Sequence, residues 1–434
     1  MSIECYEGGA GTGKTHSLIV ALERRLTTTP LEDGQSVLAI TFMHGSRHRL
    51  ASRLRALRAA RGRHECMTID SLAWHLVCRW RGLLAAIGTD VRNLPGWSFD
   101  QRCEGAASLL ANGSVRRWLC RRFPIVIVDE LQDVRGSRLA VVKSLAADAH
   151  LIAAADEFQD LGALGDSESV AWLRDAATPT VLTQSHRTAC ADLLASAAAI
   201  RAGQVIADRP LCKLISAPNP NAAAGIAACN LTWFGIAGTV VLTPTGPTSS
   251  QFVRAVVGRL QEKAIKPKAL KGTAVGPFRI DWEARVSDDA EALIQSIGFE
   301  PGQADVDARS IRVTLDVRGG RQLQEWIDHQ RRVCGRDRIQ KDELEEQAKR
   351  ACQQLRSMSP VRDDRLVAMT IHQAKNREFE RVIVLWPYEV SGAPEKLRRL
   401  LYNGITRAKQ RATIIVQNPP TARPSRLAMP PFAV

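Results

Sequence analysis

Residues Gly8, Gly9, Ala10, Gly11, Thr12, Gly13, Lys14, Thr15 and His16 carry the clearest chemistry in the chain. They satisfy the pattern G-x-x-x-x-G-K-[ST], with extra glycines that let the backbone curl until its N–H groups converge on phosphate oxygens. In such a cradle Lys14 supplies a point charge for the β- and γ-phosphates, and the Thr15 hydroxyl is the expected Mg²⁺ ligand. Strand-like "SIECY" precedes the loop. Leu18, Ile19, Ala21 and Leu22 open a helix behind it, whose N-terminus favours the same anion. A phosphate loop also needs an acidic element to hold the metal and activate water. "IVIVDELQD" supplies one, an apolar strand that ends at Asp129 and Glu130. Asp129 is expected at the metal, through the Thr15 hydroxyl or a bridging water, and Glu130 as general base on the attacking water.

These groups need rigid elements to position them. Short aliphatic runs recur between longer helical patterns: "VLAIT" (37–41), "IVIVD" (125–129), "LIAAA" (151–155), "TVVLT" (239–243), "VIVLW" (382–386) and "TIIV" (413–416). They read as buried parallel strands, which predicts an α/β fold with ligands at the strands' C-terminal edges. Residues 73–122 break the rhythm as a helical, Arg- and Trp-rich stretch. Residues 276–360 do so with weak strand signals and a long charged helix from about Arg338 to Met358. Both read as insertions into an α/β framework.

Composition narrows the partners. The chain has 434 residues and a formal net charge of +14, and the charge is clustered. Arg47, Arg49, Arg53, Arg55, Arg58, Arg61 and Arg63 lie in one stretch opposed only by Glu65, and Arg116, Arg117, Arg121 and Arg122 flank Trp118. Such clusters suit a polyanion, because each neutralised phosphate releases condensed counterions, although a solvated basic surface has the same composition. The ten cysteines form no C-x-x-C pair and no metal-binding spacing, so they read as reduced thiols of a cytoplasmic protein. No apolar run reaches the ~18 residues of a membrane span.

The order of further motifs resembles a known family. "AITFMHGSRHRLASRL", "TIDSLAWHL", "VDELQD", "ADEFQD", "LTQSHRT", "TIHQAKNREFERVIVL" and "LRRLLYNGITRAKQR" resemble, in sequence, the motifs of the UvrD/Rep group of superfamily 1 DNA helicases. The resemblance implies two RecA-like P-loop NTPase cores with parallel sheets and two small, mainly helical insertions. Its expected divisions are 1–72 with 123–180 for the first core, 73–122 for a first insertion, 181–275 with 361–434 for the second core, and 276–360 for a second insertion. It implies ATP and Mg²⁺ as ligands and single-stranded or tailed DNA as partner. The implied activity is DNA-stimulated ATP hydrolysis with 3′→5′ translocation and strand separation, in repair, recombination or anti-phage defence. Position by position, Gln159 resembles the sensor of the γ-phosphate and attacking water. Arg187 and Arg407 resemble the two arginines that reach the γ-phosphate from the second core. Glu378 matches the residue at the ribose, and Tyr402 one that positions the finger or the adenine. Phe42, Thr68, Ser71, Thr370 and His372 fall where relatives touch single-stranded DNA.

Three departures qualify this reading. Relatives carry an adenine-recognising element well upstream of the loop, and only seven residues precede Gly8, so ATP and GTP both stay open. "ADEFQDLGALGDS" lacks the Trp and Arg that usually follow this motif, and "NREF" puts Asn376 in place of the usual glycine. The insertions are short. Compact UvrD-like subunits encoded beside nucleases in anti-phage systems, such as the Gabija helicase-like subunit, share that reduced size. The alternative expectation is therefore an ATP-dependent DNA-sensing switch that regulates a partner nuclease with little unwinding of its own.

Overall fold

The computed structural model describes residues 2–41, 44–162, 167–246, 249–283, 286–298, 304–333, 335–358, 366–418 and 425–433. Phe42, expected at the nucleic acid, lies outside them. The apolar runs of the first third become β1 (Ser2–Gly8), β2 (Val37–Thr41), β3 (His64–Thr68), β4 (Ile125–Asp129), β5 (His150–Ala155) and β6 (Thr180–Leu182). They pair in parallel in the order β3-β2-β4-β5-β1-β6. Every residue of β2 and β4 is buried, which is why these strands read as unbroken apolar runs. Val37, Ala39, Ile125 and Ile127 pack on one face with helix Lys14–Thr28, and Leu38, Ile40, Val126 and Val128 on the other. Burial of each Val, Leu or Ile among them contributes about 1.5–3 kcal/mol.

The second half forms β7 (Cys212–Ala217), β8 (Thr239–Thr243), β9 (Ile280–Trp282), β10 (Asp305–Asp307), β11 (Arg338–Gln340), β12 (Leu366–Thr370), β13 (Phe379–Trp386) and β14 (Ala408–Gln417). All but β10 and β11 make a second parallel sheet, in the order β7-β14-β13-β8-β12-β9. The chain is thus α/β with two six-stranded parallel sheets, the two RecA-like cores.

The divisions expected from the sequence differ in two places. Helix Ile69–Arg79 runs through the 72/73 boundary, and Leu76, Val77, Cys103, Ala106, Leu109 and Leu119 share one core with Leu38 and Val126 of the first sheet. Residues 73–122 are therefore a helical layer of the first core, without a core of their own. In 276–360, β9 belongs to the second sheet, paired with β12. The remainder has its own small core, built on Leu293, Ile311, Leu323, Ile339, Leu344 and Cys352.

Candidate active site

The phosphate loop leaves β1 at the C-terminal edge of the first sheet. Gly11 (φ 77°) and Gly13 (φ 83°) lie in the left-handed region, and a Cβ at Gly11 would collide with the Cβ of Arg187. Lys14 is buried at the start of its helix, and its Nζ donates to the carbonyl oxygens of Gly8 and Gly9, 3.0 Å each, and lies 3.6 Å from Asp156 Oδ2. The Thr15 hydroxyl donates to Asp129 Oδ2 at 2.9 Å. An aliphatic strand ending in a buried carboxylate beside a threonine hydroxyl is an oxygen donor set suited to Mg²⁺, which takes one or two carboxylate or hydroxyl ligands and completes its shell with phosphate and water. The described residues hold no cluster of three or more His, Cys, Asp or Glu able to bind a metal.

Two adjacent carboxyls are set apart by their surroundings. Burial, then Glu130, pushes Asp129 up to about 6 against the pull of Thr15 and Lys14. Burial opposes ionisation of Glu130 too, yet Lys14, Lys375, the Gln132 hydrogen bond and Arg407 outweigh it and hold its carboxyl below the ordinary range. Glu130 is thus the more acidic member of the pair. Its backbone is left-handed (φ 57°, ψ 46°), a conformation that costs a non-glycine residue about 1–3 kcal/mol. The next residues hold it there. Gln132 donates to Glu130 Oε2 at 2.5 Å and accepts from the Asp156 N–H at 2.9 Å.

The second core closes onto this edge. The His186 N–H donates to Gly11 O at 2.7 Å, and the Ala10 N–H donates to the Tyr402 hydroxyl at 2.8 Å. Arg407 is 1% exposed, donates through Nε to Asn403 O at 3.1 Å, and reaches Gln159 Oε1 with Nη2 at 3.4 Å. Burial and then Arg187 bring its guanidinium down to about 10, so it stays charged at neutral pH. Arg187 donates to Thr406 O at 3.1 Å and pairs with Glu378 Oε1 at 2.9 Å. A cleft of about 920 Å³ results, lined by Lys14, Thr15, His16, Asp129, Glu130, Gln159, Arg187, Glu378 and Arg407. Those expected residues meet in one place. Gly8, Gly9, Ala10, Thr12 and Tyr402 instead line a second cavity of about 570 Å³ behind the loop. Tyr402 thus holds the loop at Ala10.

Two of the positions expected at nucleic acid, Thr68 and Thr370, make local cap-type hydrogen bonds. Thr68 is buried, and its Oγ1 accepts from the Ser71 N–H at 3.2 Å at the start of helix Ile69–Arg79. The Thr370 N–H donates to Gln373 Oε1 at 2.8 Å, and the Gln373 N–H returns a bond to Thr370 Oγ1 at 3.2 Å. His372 is exposed, and the surrounding protein, then Lys396 and Lys375, lower its pKa.

Sequence reasoning missed several participants. Asp156, 1% exposed, accepts from Gln159 Nε2 at 2.7 Å, from the Phe158 N–H at 3.2 Å and from Arg201 Nη1 at 2.9 Å. It lies inside the quoted "ADEFQD", so its position was the available signal. Lys375 pairs with Asp133 Oδ1 at 2.5 Å across the cores, and His186 and Arg53 line the cleft. Asn376 also lines it, with φ 65°, which explains why the family pattern has glycine there. Asn tolerates this conformation and Ala does not. Asn376→Ala is expected to cost about 1 kcal/mol and Asn376→Gly less, read as thermal unfolding midpoints. Equal midpoints for wild type and the Ala variant would remove backbone conformation as the reason.

A nucleotide-sized cleft between two parallel-sheet cores, closed by a phosphate loop, an acidic strand and two arginines, defines a P-loop NTPase of tandem-core type. Residues 2–163 match the model of an AAA domain, and residues 365–415 that of a UvrD-like helicase C-terminal domain. These two matches, one on each core, support a UvrD/Rep-like superfamily 1 helicase. No curated protein matches it. A solved structure of Pif1 helicase from Bacteroides in complex with ADP-AlF3 and ssDNA overlaps 99% of this chain and 91% of that chain, at 12% identity and a TM-score of 0.37.

Proposed function

We propose that the protein is a nucleic-acid-stimulated ATPase that translocates 3′→5′ on single-stranded DNA and separates strands. The observation that carries this reading is the composite cleft, in which Arg187 and Arg407 of the second core reach the same space as Lys14 and Glu130 of the first. Lys14 and the loop N–H groups hold the β- and γ-phosphates, while Thr15 and Asp129 hold Mg²⁺, which when bound neutralises phosphate charge. Glu130, kept ionised, takes the proton of a water oriented with Gln159. Arg187 and Arg407 bring positive charge to the transferred phosphoryl group only when the cores are together, so hydrolysis follows closure. Nucleic acid that bridges both cores favours closure and thereby turnover.

Turnover measured with and without single-stranded DNA, beside strand displacement on a 3′-tailed duplex, tests the proposal. Turnover indifferent to DNA would sink it. Displacement only from 5′-tailed substrates would reverse the direction. A second reading, a DNA-sensing switch on a partner nuclease, is favoured by the missing Trp and Arg after Gln159. It predicts DNA-stimulated turnover with almost no displacement by the chain alone.

Binding is expected to be electrostatic and blind to sequence. Affinity should fall steeply with salt, and each phosphate-contacting arginine of the 47–63 stretch replaced by Ala should shallow the log–log slope by about one unit. A salt-independent affinity contradicts the expectation. The described residues contain no helix long and apolar enough to cross a membrane.

A further inference from the structure

The Arg- and Trp-rich segment is far from the cleft. Helix Gly113–Arg122 runs directly into the start of β4, whose other end carries Asp129. Arg122 pairs with Glu65 near the start of β3 at 2.5 Å, and Arg116 with Asp148 just before β5 at 2.6 Å. The helix therefore lies along the N-terminal edge of the first sheet. Helix Ile69–Arg79 joins the two edges. It begins at Thr68 on the cleft side and ends at Arg79, ~16 Å away at 1.5 Å per residue.

At this rear edge the two helices build one surface. Val115, Leu119 and Cys120 face the core, which turns Arg117, Trp118 and Arg121 outward. Trp118 is 37% exposed and lies T-shaped to Trp80 (centroids 5.6 Å, 78°), and the Arg79 guanidinium lies 4.7 Å from its ring centroid. Arg79, Arg81, Arg117 and Arg121 are exposed, and none makes an ion pair among the described residues, whereas the neighbouring acids Glu65 and Asp148 are already paired. Four unneutralised guanidinium groups around an accessible indole match a chain of phosphates with unpaired bases.

We propose that this rear edge is a second binding surface for single-stranded nucleic acid, distinct from the surface that bridges the two cores and reached by a strand long enough to extend beyond it. The inference rests on the nucleic-acid-binding reading above. Phosphates contact Arg79, Arg81, Arg117 and Arg121, and a base stacks on Trp118. Stacking does not read sequence, so the surface is sequence-blind. It extends the footprint of the strand and plays no part in hydrolysis.

The test compares oligothymidylates of about 8 and about 30 nucleotides, a short strand within one site and a long one able to reach both. Arg117→Glu/Arg121→Glu, at two exposed positions without buried contacts, should weaken the long strand by tenfold or more and leave the short strand unchanged. Trp118→Ala should weaken the long strand by about fivefold to a hundredfold, the range of one lost stack. Turnover stimulated by the short strand should match wild type in both variants. Unchanged long-strand affinity in the Glu/Glu variant overturns the inference, and so does an equal loss for both lengths. If the short strand stimulates no turnover in wild type, the functional reading above fails, while the length comparison still decides this surface.

Discussion

Arg407→Ala is expected to lower nucleotide turnover by about 10³-fold or more, with nucleotide affinity changed much less. The guanidinium belongs to the second core, yet it ends beside Gln159 of the first and lines the cleft with Lys14 and Glu130. It is 1% exposed and remains charged at neutral pH despite burial and the nearby Arg187. A fixed charge in a water-poor site is worth more than one in solvent, and its value rises as charge shifts within the phosphoryl group. Lysine is not expected to restore it, because its compact ammonium lacks the planar fork in which Nε bonds Asn403 O while Nη2 reaches on to Gln159. Because Arg407 is buried, folding is checked through the thermal midpoint, and Arg187→Ala, at a more accessible position, gives a parallel loss. Turnover by folded Arg407→Ala protein within tenfold of wild type would remove the finger role.

The phosphate loop and the acidic strand were legible because each is one continuous segment with its own local physics. Strands at 37–41, 125–129 and 239–243 appear with the bounds that their apolar runs suggest, since buried central strands leave no polar alternation to blur them. β3 (His64–Thr68) and β7 (Cys212–Ala217) were not legible. Both are edge strands with half-buried, mixed composition, so neither the continuous run nor the alternation appears. The helices of 73–122 looked like an insertion because they interrupt the strand rhythm. Only the packing of Leu109 and Leu119 against the sheet shows them to be its cover. Contacts that join the cores were beyond local reading. Lys375 and Asp133 are 242 residues apart, Ala10 and Tyr402 392, and no spacing rule announces either pair. Family motifs point to Arg187 and Arg407, which line one cleft with Lys14 and Glu130, and to Tyr402, which lines the adjoining cavity with Gly8 and Ala10.

Glu130→Gln is expected to leave nucleotide binding intact and to lower turnover by about 10²-fold or more. The substitution is nearly isosteric, and it leaves untouched Asp129, Thr15 and Lys14, the groups proposed to hold metal and phosphate. What disappears is the ionised carboxylate that Lys14, Lys375 and Gln132 keep deprotonated against burial. An amide in that place cannot take a proton from water. Lys14→Ala acts differently, because it removes a phosphate contact and weakens binding and turnover together. The contrast separates base from binder: for Glu130→Gln the loss is confined to kcat, and for Lys14→Ala it is shared with KM. The left-handed backbone at Glu130 adds a control. Glu130→Gly relieves that strain, so it should fold at least as stably as the Gln variant and be as inactive. A Gln variant with turnover near wild type would move the base elsewhere. A Gly variant that lost nucleotide binding would show that the side chain shapes the pocket as well as the proton transfer.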